Sequence, residues 1–260
     1  MRSASTLRLL FVAVLLTAGL VFSFAAFAQE AAPPATKKQA DAADRYSIRR
    51  IHDPNGIGKF YMNREIARVM GHQAIDWLER PEREEEERLT LLMEALKLKP
   101  GMQVADIGAG SGVISVMIAN RIGDGKVLAV DIQQEMLDAL EAKCRMQMVK
   151  NVEPVLGTTQ SPRLAADSVD LAIMVDVYHE FDFPFEMLKE MTASLKPGGR
   201  IAFVEYRKED PNVPIKLVHK MTEEQIRKEA GLPELGLTWT ETVSTLPRQH
   251  VVIFTKGASK

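Results

Sequence analysis

Residues 103–112 read Gln103-Val104-Ala105-Asp106-Ile107-Gly108-Ala109-Gly110-Ser111-Gly112. A short apolar run ends in an acid and then in three alternating glycines, the pattern of a strand that turns sharply. Glycine lets a backbone bend tightly and approach a ligand closely. Val113 to Arg121 then has the apolar spacing of a helix, so the unit is strand, glycine loop, helix. A dinucleotide fingerprint spaces its glycines G-x-G-x-x-G. Here the spacing is G-x-G-x-G, and Val113 stands in the place of the third glycine.

Downstream of this unit, strand and helix patterns alternate. Lys126–Ile132 and Val152–Leu156 read as the second and third strands, with a helix over 133–148 between them. That helix turns Met136, Leu137, Leu140 and Cys144 inward. Val169–Val175 is a fourth, strongly apolar strand, followed by a helix over 185–195, a Pro197-Gly198-Gly199 turn and a fifth strand over 200–206. Residues 222–230 read as a helix, and residues 238–243 and 250–255 as a terminal hairpin. Near-continuous apolar strands separated by helices imply a parallel sheet covered on both faces. The expected fold is therefore α/β, Rossmann-like and doubly wound. Its sheet is seven-stranded and mostly parallel, with a C-terminal antiparallel hairpin. Ligands of such sheets bind at the carboxyl ends of the strands, where the strand order reverses.

Upstream, Arg2 and Arg8 precede an apolar run from Leu9 to Ala28 that ends in Ala26-Phe27-Ala28. A charged start, an apolar middle and an A-x-A end describe a signal peptide over 1–28. The run also approaches the length of an uncleaved membrane anchor. The first reading places the protein in the periplasm or medium, the second on the membrane. Residues 29–58 read as a flexible linker rich in turn formers, and 59–88 as a helical cap ahead of a main domain over 89–260. Lys59, Tyr61, Met62, Arg64 and Trp77 of the cap either form a lid over the ligand site or pack as ordinary cap residues. The charge run Pro81–Arg88 reads as the solvated first turn of a helix whose apolar face is Leu89, Leu92, Met93 and Leu96.

The formal net charge of −2 argues against a general nucleic-acid binder. A single cysteine, Cys144, excludes an intrachain disulfide and a cysteine zinc cluster, and reads as a small core residue. Asp131 closes the second strand, 21 residues after Gly110. An acid there either accepts hydrogen bonds from both ribose hydroxyls of a nucleoside or caps the next helix.

Four segments, VADIGAGSG (104–112), VLAVDI (127–132), VDLAIMVDVYHEF (169–181) and LKPGGRIAFVE (195–205), together resemble the successive motifs of class I S-adenosylmethionine-dependent methyltransferases. The resemblance spans residues 89–256. It is closest to the small-molecule methyltransferases of the ubiquinone/menaquinone-biosynthesis type. It implies S-adenosylmethionine as cofactor and a small-molecule methyl acceptor. Asp106 would lie near the methionine amino group, directly or through water. Gly108, Ala109, Gly110, Ser111 and Gly112 would carry the backbone past the methionine and ribose. Asp131 would hold the ribose and Ile132 would pack on adenine. The loop after the third strand reads Gly157-Thr158-Thr159-Gln160, without the acid usual there, so Thr158 becomes the adenine contact.

The loop Asp176-Val177-Tyr178-His179-Glu180-Phe181-Asp182 would lie beside the transferable methyl. His179, with Asp176 and Tyr178 beside it, is the catalytic candidate. An imidazole titrating near neutrality suits a general base, though His179 in this loop equally suits capping and packing. Asp176 suits orientation of cofactor or loop. Asp176, His179, Glu180 and Asp182 lack a recognised ligand spacing, so no metal site is expected. The same loop lacks the Asn/Asp-Pro-Pro-aromatic sequence of base-amino methyltransferases, and no nucleic-acid partner is expected. The alternative to an enzyme is an exported, non-catalytic binding protein that keeps the fold.

Overall fold

The computed structural model of the chain describes residues 45–257. The segment read as a signal peptide or anchor lies outside them, as does residues 29–44 of the linker. Among the described residues no helix is long and apolar enough to cross a membrane.

The main sheet contains β4 (Gln103–Ile107), β5 (Lys126–Asp131), β6 (Val152–Leu156), β7 (Val169–Val175), β8 (Leu195–Tyr206), β9 (Leu237–Val243) and β10 (Gln249–Lys256). Its order is β6-β5-β4-β7-β8-β10-β9. The pairs β4–β5, β5–β6, β4–β7 and β7–β8 are parallel, and β10 pairs antiparallel with both β8 and β9. The seven strands and the C-terminal hairpin are those expected from the alternating pattern. The chain runs outward from β4 to β6 and then crosses back to β7, so the crevice opens where β4 and β7 end.

Alternate residues of each strand feed opposite faces. Val104, Leu171, Ile173, Ala202 and Val204 pack on α3 (Leu89–Ala95) and α4 (Val113–Ala119). On that face Ala129 meets Leu140 and Cys144 of α5 (Gln134–Met146), which makes Cys144 a core residue. Ala105, Ile107, Ala172, Met174 and Phe203 pack the other way, against α6 (Pro184–Ser194) and α7 (Glu223–Ala230).

The N-terminal part departs from expectation. Residues 46–67, read as linker and the start of a helical cap, form an antiparallel sheet of β1 (Tyr46–Ile48), β2 (Gly56–Tyr61) and β3 (Arg64–Ala67). Met62 and Asn63 both take positive φ, the requirement of a two-residue hairpin turn. Tyr61 and Ile66 anchor the hairpin in the core on the α6/α7 face. Two short helices follow, α1 (Ile75–Leu78) and α2 (Arg83–Glu87). The charge run is not uniformly solvated either. Arg88 takes φ 54 and separates α2 from α3. Arg83 and Glu87, one helical turn apart, are buried and paired at 2.7 Å.

Candidate active site

A cleft of about 650 Å³ opens over the carboxyl ends of β4, β5 and β7. Gly108, Gly110, His179, Glu180 and His219 line it, with Met70, Trp77, Met136 and Phe181 among its apolar walls.

The loop after β4 is shaped by two glycines above all. At Gly108, with φ +72, a Cβ would stand 2.5 Å from Val177 Cγ2, so the loops after β4 and β7 touch only because no side chain intervenes. At Gly112, with φ +84, a Cβ would stand 2.7 Å from Leu140 Cγ, which is how α4 and α5 come together. Ala109, Ser111 and Gly112 build the turn from behind and do not line the cleft. Ser111 donates its hydroxyl to Glu79, which also pairs with Lys143. Leu78 of α1 packs onto Gly110 and Trp77 lines the cleft, so this short helix covers the loop. Tyr61 and Arg64 are core residues, and Lys59 binds the Asp182 carbonyl at 2.5 Å. Of the residues singled out upstream, Trp77 is the one that lines the cleft.

Asp131 does not cap α5, whose N-cap is Gln133 and receives no side-chain cap bond; it holds two backbone amides ahead of that helix. One carboxylate oxygen accepts from Gly110 N at 2.9 Å and the other from Gln133 N at 2.9 Å. It thereby clips the glycine loop to the start of α5. Each oxygen keeps a second lone pair, and the residue faces the cleft. Burial raises its pKa above the ordinary value. Ile132 beside it lines the cleft and is 41% exposed.

Asp106 is buried and does not line the cleft; its carboxylate accepts from Ser115 Oγ at 2.6 Å. Burial lifts its pKa from 3.8 to about 6, with the Ser115 hydrogen bond opposing and Asp131 adding to the rise. The folded state thus favours the neutral carboxyl. The stability this contributes is fully present below the unfolded value of 3.8 and is lost as pH rises through about 6. Relative to Asp106→Asn, the native chain should lose on the order of 2–3 kcal/mol between pH ~4 and pH ~7, read as the shift in urea midpoints. Parallel pH dependence in the two proteins would refute it.

Thr158 lines the cleft, but its hydroxyl is committed. It accepts from Gln160 N at 3.3 Å and Ser161 N at 3.0 Å and donates to Ser161 O at 3.3 Å. These bonds use the full capacity of the hydroxyl in closing its own loop.

The loop after β7 sorts its residues by direction. Asp176 takes φ 52, a strained conformation for a non-glycine residue. One oxygen accepts from Gln249 Nε2 at 2.6 Å, and Oδ1 is buried without a partner. Burial, then the nearby Glu87 and Glu205 charges, push its pKa well up. Tyr178 points away from the cleft, which corrects its place among the catalytic candidates. It is fully buried, packs edge-on against Phe203 and donates its hydroxyl to Glu229 at 2.8 Å. A ring anchored in the core leaves its neighbour His179 free to face the other way.

His179 Nδ1 lies 2.6 Å from Glu205 Oε2, and its backbone N–H donates to Glu205 Oε1 at 3.3 Å. Glu205 is fully buried on β8. Burying a carboxylate is costly unless it is paired, and both its oxygens serve His179. Burial works against the imidazolium, but Glu205 outweighs it and raises the His179 pKa. His179 Nε2 lies 3.2 Å from His219 Nδ1. Burial, then His179, push His219 down to about 4, and burial pushes Glu180 up to about 7. Glu205 and His219 escaped the sequence reading. Glu205 lies at the end of the quoted segment 195–205, one strand from the switch point, which was a usable signal. His219 sits in a segment without periodicity, and nothing local marks it.

Residues 104–199 match the family model described as a methyltransferase domain. That stretch of the chain is similar to a methyltransferase domain. The demethylmenaquinone methyltransferase of Listeria welshimeri is 28% identical over 123 residues, covering 47% of this chain and 51% of that one. The chain thus spans about half the length of that curated relative. Among solved structures, a SAM-dependent methyltransferase from Aquifex aeolicus superposes with a TM-score of 0.67 at 24% identity, over 72% of this chain and 99% of that one. A possible exported protein from Bordetella parapertussis superposes at 0.52 and 18% identity, over 66% and 67%. These structural likenesses establish the fold. The matched stretch runs from β4 to the start of β8, the part that builds the glycine loop, Asp131 and the loop of His179.

Proposed function

We propose that the protein transfers a methyl group from S-adenosylmethionine to a small, largely apolar acceptor bearing a hydroxyl or amine. The observation that carries this reading is one cleft lined by two chemically different sets of residues. The glycine loop, Asp131 and Ile132 suit a nucleoside: close backbone, acceptor oxygens with free lone pairs, and an exposed aliphatic side chain for the base. The loop after β7 adds His179, fixed by Glu205. The apolar walls of the cleft and the demethylmenaquinone methyltransferase relative support a small apolar acceptor.

Bound there, S-adenosylmethionine supplies an electrophilic methyl, which a nucleophile takes as the carbon–sulfur bond breaks and its electron pair stays on sulfur. The chain's own share is positioning and proton removal. With Glu205 holding His179 at Nδ1, Nε2 is the nitrogen that takes the acceptor's proton, once the acceptor displaces the 3.2 Å contact of Nε2 with His219 Nδ1. Asp176 and the covering helix α1 shape the cleft and limit water.

The test is transfer of labelled methyl from S-adenosylmethionine to a panel of apolar phenols, quinols and amines. Turnover is expected with at least one acceptor. His179→Ala should bind S-adenosylhomocysteine normally yet lower turnover about 100-fold or more, the usual weight of a general base. Full activity in that variant would remove His179 from the base role. Binding of S-adenosylhomocysteine with no transfer to any acceptor would favour the non-catalytic binding protein.

A further inference from the structure

We infer that His179, Glu180 and His219 form a binding site for a divalent transition-metal ion of the Zn²⁺ type inside the cleft. His179 Nε2 and His219 Nδ1 lie 3.2 Å apart, and Glu180 Oε1 lies 3.9 and 3.7 Å from them. A tetrahedral zinc with metal–nitrogen bonds of about 2.0–2.1 Å separates two nitrogen ligands by roughly 3.3 Å. The imidazoles already stand at that spacing, and a small inward swing of Glu180 completes the set. The two rings meet nearly at right angles, 83°.

The surroundings are those of a ligand set. Metal-binding histidines give their other ring nitrogen to a carboxylate, and Glu205 does this for His179. Glu180 Oε2 is fixed by Met70 N at 3.3 Å. A hydrogen bond between the imidazoles accounts for two of the three atoms and leaves Glu180 Oε1, which faces the cleft, beyond bonding distance of both rings. An ion engages all three atoms. Two imidazoles select zinc, cobalt or nickel over magnesium and calcium, which prefer oxygen. All three residues line the cleft, so the remaining coordination position opens toward a bound molecule. Two histidines and a glutamate with an open position is a catalytic rather than a structural arrangement. The catalytic consequence rests on the methyl-transfer reading, but ion binding does not. The two roles of His179 Nε2 exclude each other: the base role belongs to the ion-free chain, and loading the ion would remove it.

The full chain, stripped with a chelator and without S-adenosylmethionine, is titrated with Co²⁺ followed by visible absorption, and with Zn²⁺ in competition with a chromogenic chelator. One equivalent should bind, with the strong visible bands of four- or five-coordinate Co²⁺. His219→Ala and Glu180→Gln should each weaken binding 100-fold or more while circular dichroism stays native. Glu205→Gln should weaken it about 10- to 100-fold, as loss of an outer partner does. His52→Ala and His72→Ala, outside the cluster, should bind as the native chain does. Failure of the folded native chain to bind, or undiminished binding in His219→Ala, overturns the site. Because no S-adenosylmethionine is present, that failure leaves the methyl-transfer reading untouched.

Discussion

Asp131→Ala is expected to weaken S-adenosylhomocysteine binding about 100-fold, the value of two charge-assisted hydrogen bonds of roughly 1.5 kcal/mol each. The difficulty is that Asp131 also clips Gly110 and Gln133, so loosening of the loop would weaken binding too. A ligand lacking the ribose 2′-hydroxyl separates the two causes. In the native chain this analogue should bind about tenfold more weakly than the parent. In Asp131→Ala the parent and the analogue should bind alike, because the partner of that hydroxyl is gone. A gap of equal size in both proteins would show that Asp131 acts only on the loop.

Arg64→Ala should destabilise the fold by about 3–5 kcal/mol, the cost of leaving one member of a buried ion pair without its partner. Arg64 Nε and Nη2 donate to the two oxygens of Glu229 at 2.8 and 3.0 Å, and both residues are buried. The same carboxylate accepts from Tyr178 Oη at 2.8 Å and Gln225 Nε2 at 2.7 Å. Arg64 Nη1 also donates to the His179 carbonyl at 3.1 Å. One guanidinium therefore ties the β2–β3 hairpin to α7 and to the backbone of the candidate base. Urea unfolding should show a lower midpoint with an unchanged slope. The double variant Arg64→Met/Glu229→Leu should recover much of the loss, since neither charge then remains buried. A single-variant loss below about 1 kcal/mol would mean the pair is not desolvated as drawn.

These two predictions fall on either side of what the sequence discloses. Asp131 was legible because strand ends in a doubly wound sheet announce themselves by alternating apolar runs and helices. The glycine loop and the apolar strand Val169–Val175 were legible for the same reason, since local pattern and global fold agree there. Arg64–Glu229 was not, because 165 residues separate the partners and neither has a local signature. The β2–β3 hairpin was missed because its turn is Met62-Asn63 and not the Asn-Gly or Asp-Gly that usually marks positive φ. Tyr178 and His179 illustrate a different limit. A loop sequence names adjacent residues without saying which way each points, and here one enters the core while the other faces the cleft. Arg83 and Glu87 fail for the converse reason. A dense charge run hides the two members that tertiary packing buries.

The central claim is that the cleft over β4, β5 and β7 holds a methyl-donor nucleoside on Asp131 and the glycine loop. Its most direct test is calorimetric titration of S-adenosylhomocysteine into the full chain. The account predicts saturable one-to-one binding that Asp131→Ala reduces about 100-fold. A folded protein that takes up no ligand at concentrations of about 1 mM would contradict it.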